Sequence, residues 1–432
     1  MEEFKDLKNY LKAHYSSHAE RSDLYVYFVE RGNGLLKETG RFGMILSNKF
    51  LRANYGQPLR AFLNHNARLE RIVDFAGLPV FPGATVRTIV LITSKKVGAK
   101  HPTLYSPPVD PSRFAQVASG AVLVDEAVAD LAYEVAAETL EQTVWRFAEP
   151  KAEDLLTKIR EACVTLAQYC EGKIWMGIKS GLTDAFVIDA ERRDAILRRN
   201  PRAREIIKPF LNGRNVRRYF IEYEDQNLIY TYHGVSIEKY PAVEKYLEQF
   251  KDQLKMRATR QHWYELQQPQ YKFAPYMDKP KIVFPDISTS PRFALDDKGC
   301  FSSNTTYFIP SADLYLLGLL NSRLGCFYFT RTCAGLEGKN EIYLRFFGQY
   351  LEGFPIRPIN FSDPADKARH DKMVELVDRM LELNKQKHSG KLAPSQVERV
   401  DREIAATDAE IDDLVYDLYG ITDEERKIII GG

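Results

Sequence analysis

Apolar residues recur along this chain in three rhythms. In residues 23–37, DLYVYFVERGNGLLK, the spacing of Leu24, Phe28, Leu35 and Leu36 predicts a helix with Ser22 as its N-cap. RFGMILS (41–47), LERIVDF (69–75) and ATVRTIVLIT (84–93) predict three short strands. A helical stretch near 56–66 separates the first two, and the turn LPVFPG precedes the third. That order is part of an α/β sheet ending in a hairpin.

A second rhythm starts after SKKVGAKHPTLYSPPVDPS (95–113), whose prolines predict a linker. Less regular strands and helices then run to about residue 358. Among them PAVEKYLEQFKDQL (241–254) predicts a helix with Pro241 in its first turn and Val243, Tyr246, Leu247, Phe250 and Leu254 on one face. The third rhythm is a heptad seam: Val397, Val400, Ile404, Thr407, Ile411, Leu414 and Leu418 alternate spacings of three and four. Met373, Leu376, Met380 and Leu383 form a similar stripe, and HSGKLAPS breaks the helix between them. The expected result is an antiparallel helical hairpin.

Composition narrows the class. With 44% hydrophobic and 28% charged residues over 432 positions, the chain has the balance of a globular protein of two or three domains. No apolar run approaches the roughly 20 residues of a membrane helix, and MEEFKDLKNY has no apolar core for a signal peptide. A cytoplasmic location is expected. Cys163, Cys170, Cys300, Cys326 and Cys333 show no metal-ligand spacing, so free thiols and no metal are expected.

The net charge of +1 hides an uneven distribution. Residues 191–220 hold ten Lys or Arg (Arg192, Arg193, Arg198, Arg199, Arg202, Arg204, Lys208, Arg214, Arg217, Arg218) against three acids. Such a run is either a solvated face or a surface for an anionic partner.

Three segments together resemble the Taq-type family of DNA N6-adenine methyltransferases and the fused restriction–modification enzymes related to it. SDLYVYFVERGNGLLKETGRFGMILSNKFLRANYGQPLR (22–60) with RIVDFAGLPVFPGATVRTIVLI (71–92) is similar to the second half of the family's catalytic domain. GIKSGLTDAFVID (177–189), IIKPFLNGRNVRRY (206–219) and residues 279–309 are similar to its specificity domain, and TDAEIDDLVYDLYGITDEE (407–425) to its common ending. The resemblance implies a partial Rossmann-like α/β methyltransferase remnant over 1–94, a linker over 95–120, a mixed α+β target-recognition domain over 121–360 and a helical hairpin over 361–432.

The family's S-adenosylmethionine turn (Asp-Pro-x-x-G or Phe-x-G-x-G) and its catalytic Asn-Pro-Pro-Tyr do not occur in this sequence. Gly32-Asn33-Gly34 lies in a helical pattern and follows no strand, and Ser106-Pro107-Pro108-Val109 lacks the amide and the aromatic. The exocyclic amine of adenine is a poor nucleophile, which the family orients with the Asn side chain and a Pro carbonyl while the Tyr stacks on the extruded base. Without those groups the chain is expected to bind no cofactor and to be inactive alone, S-adenosylmethionine serving the complete enzyme. It is expected to begin just after the catalytic loop, as a fragment, a split gene or a decayed one. Phe81 matches the family's second aromatic against the flipped base, a stack worth roughly 1–3 kcal/mol. A turn-filling Phe is the plain alternative. Asn48 and Lys49 close the first strand at the sheet edge where open α/β folds bind ligands.

The resemblance makes double-stranded DNA the expected partner. Lys208, Arg214, Arg217 and Arg218 would hold phosphates, while Lys179, Ser180 and Thr183, with Asp184, sit in a loop between Gly177 and Gly181 that could approach DNA closely. Asp297, Lys298, Asn304 and Thr305 are possible base readers. Self-association, or a chain supplying the missing front half, is also expected. Three other readings stand beside this one: a stand-alone specificity subunit for a separate catalytic chain, a structural scaffold, and a metal-dependent endonuclease built on Pro285-Asp286 and Glu337-Gly338-Lys339.

Overall fold

The computed structural model describes residues 7–20, 22–51, 53–76, 78–81, 86–95, 101–141, 145, 147, 150–337 and 342–431. The chain divides into two compact units, Met1–Asp154 and Leu155–Gly432.

In the first unit β1 (Arg41–Ser47), β2 (Ala67–Ala76), β3 (Thr88–Lys95), β4 (Thr103–Ser106) and β5 (Tyr133–Val135) form one sheet in the order β1-β3-β2-β4-β5. β3 is antiparallel to both neighbours, so it lies between two strands of common direction. Successive side chains of β2 point to opposite faces. Ile72 joins Leu46, Ile89 and Leu91 beneath helices α1 (Leu24–Gly34) and α2 (Gln57–Asn66). Val73 and Phe75 meet α3 (Pro111–Ala118) and α4 (Val124–Val128) on the other face.

Two expectations change here. α1 buries Val26, Tyr27, Val29 and Asn33, whereas Phe28 and Leu35 are 63% and 66% exposed. Gly32 decides the rotation: a Cβ there would enter the Phe42 ring, so this side of the helix lies on β1. The N-cap is Asp23, whose carboxylate accepts from Leu24 N–H, not Ser22. The stretch read as a linker contains β4, which pairs parallel to β2 (Ile72 opposite Tyr105), and then α3. Its prolines close the strand and start the helix: Asp110 caps α3 by accepting from Ser112 and Arg113 N–H, and Pro111 occupies the first turn.

β1 has a partner on one side only, among the described residues. Asn48 N–H donates to the Arg87 carbonyl at 2.9 Å, which fixes the phase of the antiparallel ladder. In that phase Met44 and Leu46 are bonded to β3, while Gly43, Ile45 and Ser47 turn their N–H and C=O groups to the open edge.

The second unit is built on two four-stranded sheets. Its strands are β6 (Trp175–Met176), β7 (Val187–Ile188), β8 (Ile207–Leu211), β9 (Asn227–Ile229), β10 (Lys281–Pro285), β11 (Ile287–Ser288), β12 (Ala294–Asp296), β13 (Phe301–Ser302) and β14 (Thr306–Ile309). One sheet has the order β13-β8-β9-β7 and the other β12-β10-β14-β6. Ile178, Phe186, Leu228, Val243, Leu247, Val283 and Phe308 share their core. Inside it Lys281 Nζ, fully buried, donates to Asp296 Oδ2 at 2.5 Å and to the Met277 carbonyl at 2.6 Å. β15 (Ala334–Glu337) and β16 (Ile342–Arg345) form a hairpin, and β11 pairs with β16.

Among the helices of this unit are α5 (Thr183–Phe186), α6 (Ala190–Arg199), α7 (Pro241–Leu247), α8 (Leu314–Asn321) and α9 (Arg323–Thr332), and two long ones follow, α10 (Pro364–Lys387) and α11 (Pro394–Tyr419). The long pair runs antiparallel, with Lys387 on Asp401 at 2.6 Å and Arg379 on Glu410 at 4.0 Å. Val400, Thr407, Ile411 and Leu418 of the seam are buried, and the Thr407 hydroxyl donates to the Glu403 carbonyl. Gly318 of α8 admits Met373 of α10, whose sulfur would lie 2.6 Å from a Cβ at that position. No helix among the described residues is long and apolar enough to cross a membrane. All five cysteines are free.

Candidate nucleic-acid interface

The two sheets of the second unit are stitched together at one turn, residues 302–306. Gly177 N–H donates to the Thr306 carbonyl, Ile178 N–H to the Ser302 carbonyl, and Asp286 N–H to the Thr305 carbonyl, while Ser303 N–H donates to the Leu211 carbonyl. Gly213 N–H donates to the Thr305 hydroxyl at 3.1 Å. Two glycines make this possible. A Cβ on Gly177 would meet the Ser303 carbonyl oxygen, and one on Gly213 the Thr305 carbonyl oxygen. The close approach that Gly177 permits, expected toward DNA, is made to the chain's own backbone.

Above this junction lies an open cleft of about 680 Å³. Ile178, Val187, Phe210 and Leu228 give it apolar walls, and Ser180, Thr183, Asp184, Asn212, Arg214, Gln226, Asp286, Arg292, Asn304 and Thr305 give it polar ones. The sequence-derived candidates Ser180, Thr183 and Arg214 thus meet in one place, together with Asp184, Asn304 and Thr305. Asn304 is exposed at the rim, whereas the Thr305 hydroxyl is held by Ser303 and Gly213. Asn212, Gln226, Asp286 and Arg292 also line the cleft, and none of them is a DNA-binding candidate of the sequence. Each follows or precedes a strand (LNG, DQNLI, FPDIS, SPRFAL), and a polar residue at a strand end was the available signal.

The remaining candidates sit elsewhere. Lys179 is exposed on the bridge its backbone makes with Gln268. Lys208 lies over the Phe301 ring, its ammonium 5.8 Å from the centroid. Arg217 pairs with Glu222 and Arg214 with Glu224, both largely exposed. Arg218 is engaged inside the fold: it donates to both Asp408 oxygens and, from Nε and Nη2, to the Asn321 carbonyl. Asp297 and Lys298 gather on Tyr223, the lysine 3.7 Å from the ring centroid. Asn48, Lys49 and Phe81 belong to the first unit, where Phe81 is 45% exposed. The basic run is less positive than its own composition, because Glu222, Glu224 and Asp225 just beyond it pair with Arg217, Arg214 and Arg193.

Burial raises the Asp286 carboxyl above the usual range, opposed by the Ile287 N–H and its own. The endonuclease pattern would need this carboxylate beside Glu337. Phe346 N–H bonds the Asp286 carbonyl, and Glu337 stands opposite Ile342, four residues further along β16. That separates the two backbones by roughly 13 Å at about 3.3 Å per residue. Gly338 and Lys339 lie outside the described residues.

Residues 1–81 match the Eco57I restriction-modification methylase family, and residues 208–356 match the TaqI-like C-terminal specificity domain. The type II methyltransferase M.BanIII of Aneurinibacillus aneurinilyticus is 25% identical over 84% of this chain and 67% of its own length. M.PaeR7I of Pseudomonas aeruginosa is 23% identical over 97% of this chain and 68% of its own. Among solved structures, the type IIL restriction-modification enzyme MmeI in complex with DNA aligns with 99% of this chain at a TM-score of 0.57 and 14% identity. The chain spans 54% of the MmeI chain. The protein is therefore similar to type II restriction-modification methyltransferases that carry a TaqI-like specificity domain.

Proposed function

We propose that this chain supplies DNA target recognition to a site-specific adenine-N6 DNA methyltransferase of a restriction-modification system. The observation that carries the reading is the cleft of the second unit. Most of its lining, from Phe210 to Thr305, falls within the residues that match a specificity domain. Apolar walls with convergent amides, hydroxyls and two arginines suit base edges, and the cations Lys179, Lys208, Arg214 and Arg217 suit phosphates. Ser180 and Thr183 face the bases in this reading. Arg218 holds the basic turn in place.

The first unit is the trailing part of a Rossmann-like methyltransferase sheet, and α10 with α11 is the hairpin that closes the specificity domain. Phe81 stacks on an extruded base, and Asn48 and Lys49 line the same end of the sheet. The residues present do not fit the methyl donor. Gly32 and Gly34 belong to helix α1, Asn33 is buried and bonds Val29 and Thr93, and neither glycine stands in a turn that follows a strand. S-adenosylmethionine is thus a cofactor of the complete enzyme, and this chain is catalytically incomplete alone. The open edge of β1 favours a partner strand, from a second copy or from a segment that carries the cofactor and catalytic motifs.

Selection from a random duplex pool at low salt tests the function. The parent should enrich one consensus sequence. A chain that retains no duplex overturns the reading, and methylation by the purified chain alone would overturn its incompleteness.

A further inference from the structure

Three charged groups of the cleft have no ion-pair partner among the described residues, the exposed Asp184 and the half-buried Asp286 and Arg292. Asp286 and Arg292 both line it, yet neither forms an ion pair among the described residues, and they are not paired with each other. Arg214, the other arginine of the lining, is held by Glu224, and Asp184 is open to solvent. Asp286 leaves the end of β10, and its backbone is fixed on both sides, through N–H to Thr305 and through C=O from Phe346. Its carboxylate is half-buried, and desolvation acts on it with no compensating cation. Arg292 is half-buried as well, just before Phe293, which is fully buried.

A half-buried carboxylate with no cation beside it would repel the phosphates of DNA, so its use lies with a donor. An amino group on a base edge is such a donor, and the Arg292 guanidinium in the same cleft asks for paired acceptors. One base pair offers both together in the major groove: guanine O6 and N7 accept a bidentate arginine, and cytosine N4 donates. Resting on the DNA-recognition reading above, we propose that Arg292 and Asp286 together read one G·C pair of the target. Arg292 donates to guanine O6 and N7, and Asp286 accepts from the cytosine N4 amine. The adjacent Asn304 and Gln226 amides read its neighbours.

The test is selection from the random duplex pool, repeated with Arg292→Gln and Asp286→Asn after thermal melts show both variants folded. The parent consensus should contain an invariant G·C pair, and both variants should relax that same position about tenfold or more while keeping the rest. Placing 7-deazaguanine at that position removes N7 and should weaken the parent about tenfold and Arg292→Gln hardly at all. Inosine keeps O6 and N7 and should bind the parent like guanine. A consensus without an invariant G·C, or one unchanged in both variants, overturns the proposal while the recognition function stands. Loss of binding with inosine would overturn the major-groove geometry. A parent that selects no DNA overturns the function itself.

Discussion

Arg218 and Asp408 meet across 190 residues of sequence, Nη1 donating to Oδ2 at 2.8 Å, and so fasten the basic turn of the recognition unit to helix α11. The guanidinium also serves as donor to the Asn321 carbonyl at the end of α8. Removing it strands a half-buried carboxylate and a buried carbonyl. Arg218→Ala should therefore cost about 3 kcal/mol of stability. Urea unfolding of the two single variants and the Arg218→Ala/Asp408→Ala pair would show a double change much smaller than the sum; additivity would mean that the ion pair is idle.

Asp412, one turn further along α11, is pushed up to about 6 from the usual 3.8, mainly by burial, although it accepts from Arg323 N–H. A carboxyl with a raised value binds its proton more tightly folded than unfolded. Its charge therefore costs stability at neutral pH, and the cost is relieved as pH falls through 6. Asp412→Asn keeps the acceptor and loses the charge. Its melting temperature relative to the parent should be highest near pH 7.5 and lose that advantage toward pH 4.5. A difference independent of pH refutes the assignment.

The cationic rim has a salt signature. The ion-pair partners of Arg214 and Arg217 are exposed glutamates, and Arg217 Nη1 also donates to the Arg214 and Val216 carbonyls, so phosphates can compete for the ion pairs at little cost. Changing both to Ala should weaken binding alike on all duplexes and reduce the log–log salt slope by about 0.9 for each phosphate no longer neutralised. Fluorescence anisotropy between low and physiological salt measures this. An unaltered slope places DNA elsewhere.

Because Ile45 turns its N–H away from β3, a proline there removes a donor from the open edge and none from the ladder. Ile45→Pro should fold, and light scattering should show less self-association than in the parent. Met44→Pro, which takes a bonded donor, should unfold the first unit. Equal behaviour of the two variants contradicts the ladder phase.

The buried pair of Lys281 and Asp296 gives a test in the core. Lys281→Ala leaves a fully buried carboxylate that still accepts from Cys300 N–H, and should cost about 3–5 kcal/mol. Replacing both by apolar residues of similar volume should recover much of that loss in the same unfolding measurement.

Periodic segments were legible from sequence: β1, β2 and β3 fall where alternation and apolar runs put them, and the seam from Val400 to Leu418 is buried at Val400, Thr407, Ile411 and Leu418. Features set by a single distant neighbour were not. The face of α1 is chosen by Gly32 against Phe42, which no spacing reveals, and β4 hides among prolines because it needs only four residues when β2 is already formed. Likewise Ser180, Thr183 and Arg214 could be named from glycine-rich and basic loops, but nothing in the sequence placed Arg292 and Asp286 in the same cleft. Each looks like ordinary strand-end polarity until the junction at 302–306 brings them into one cleft.

That junction also sets the terms on which a target could drift over time. With Gly177 and Gly213 pressed against the 303–305 backbone, the walls of the cleft are held at fixed spacing mainly by main-chain bonds, with the Thr305 hydroxyl beside them. Exchange of a side chain on either wall would change what the cleft can hold and leave the frame untouched. An added or deleted residue would break several main-chain bonds at once. If the cleft reads DNA as proposed, new recognition sites should thus arise in this scaffold by point substitution, one letter of the target at a time, and changes of length should spare the segments that cross at 302–306.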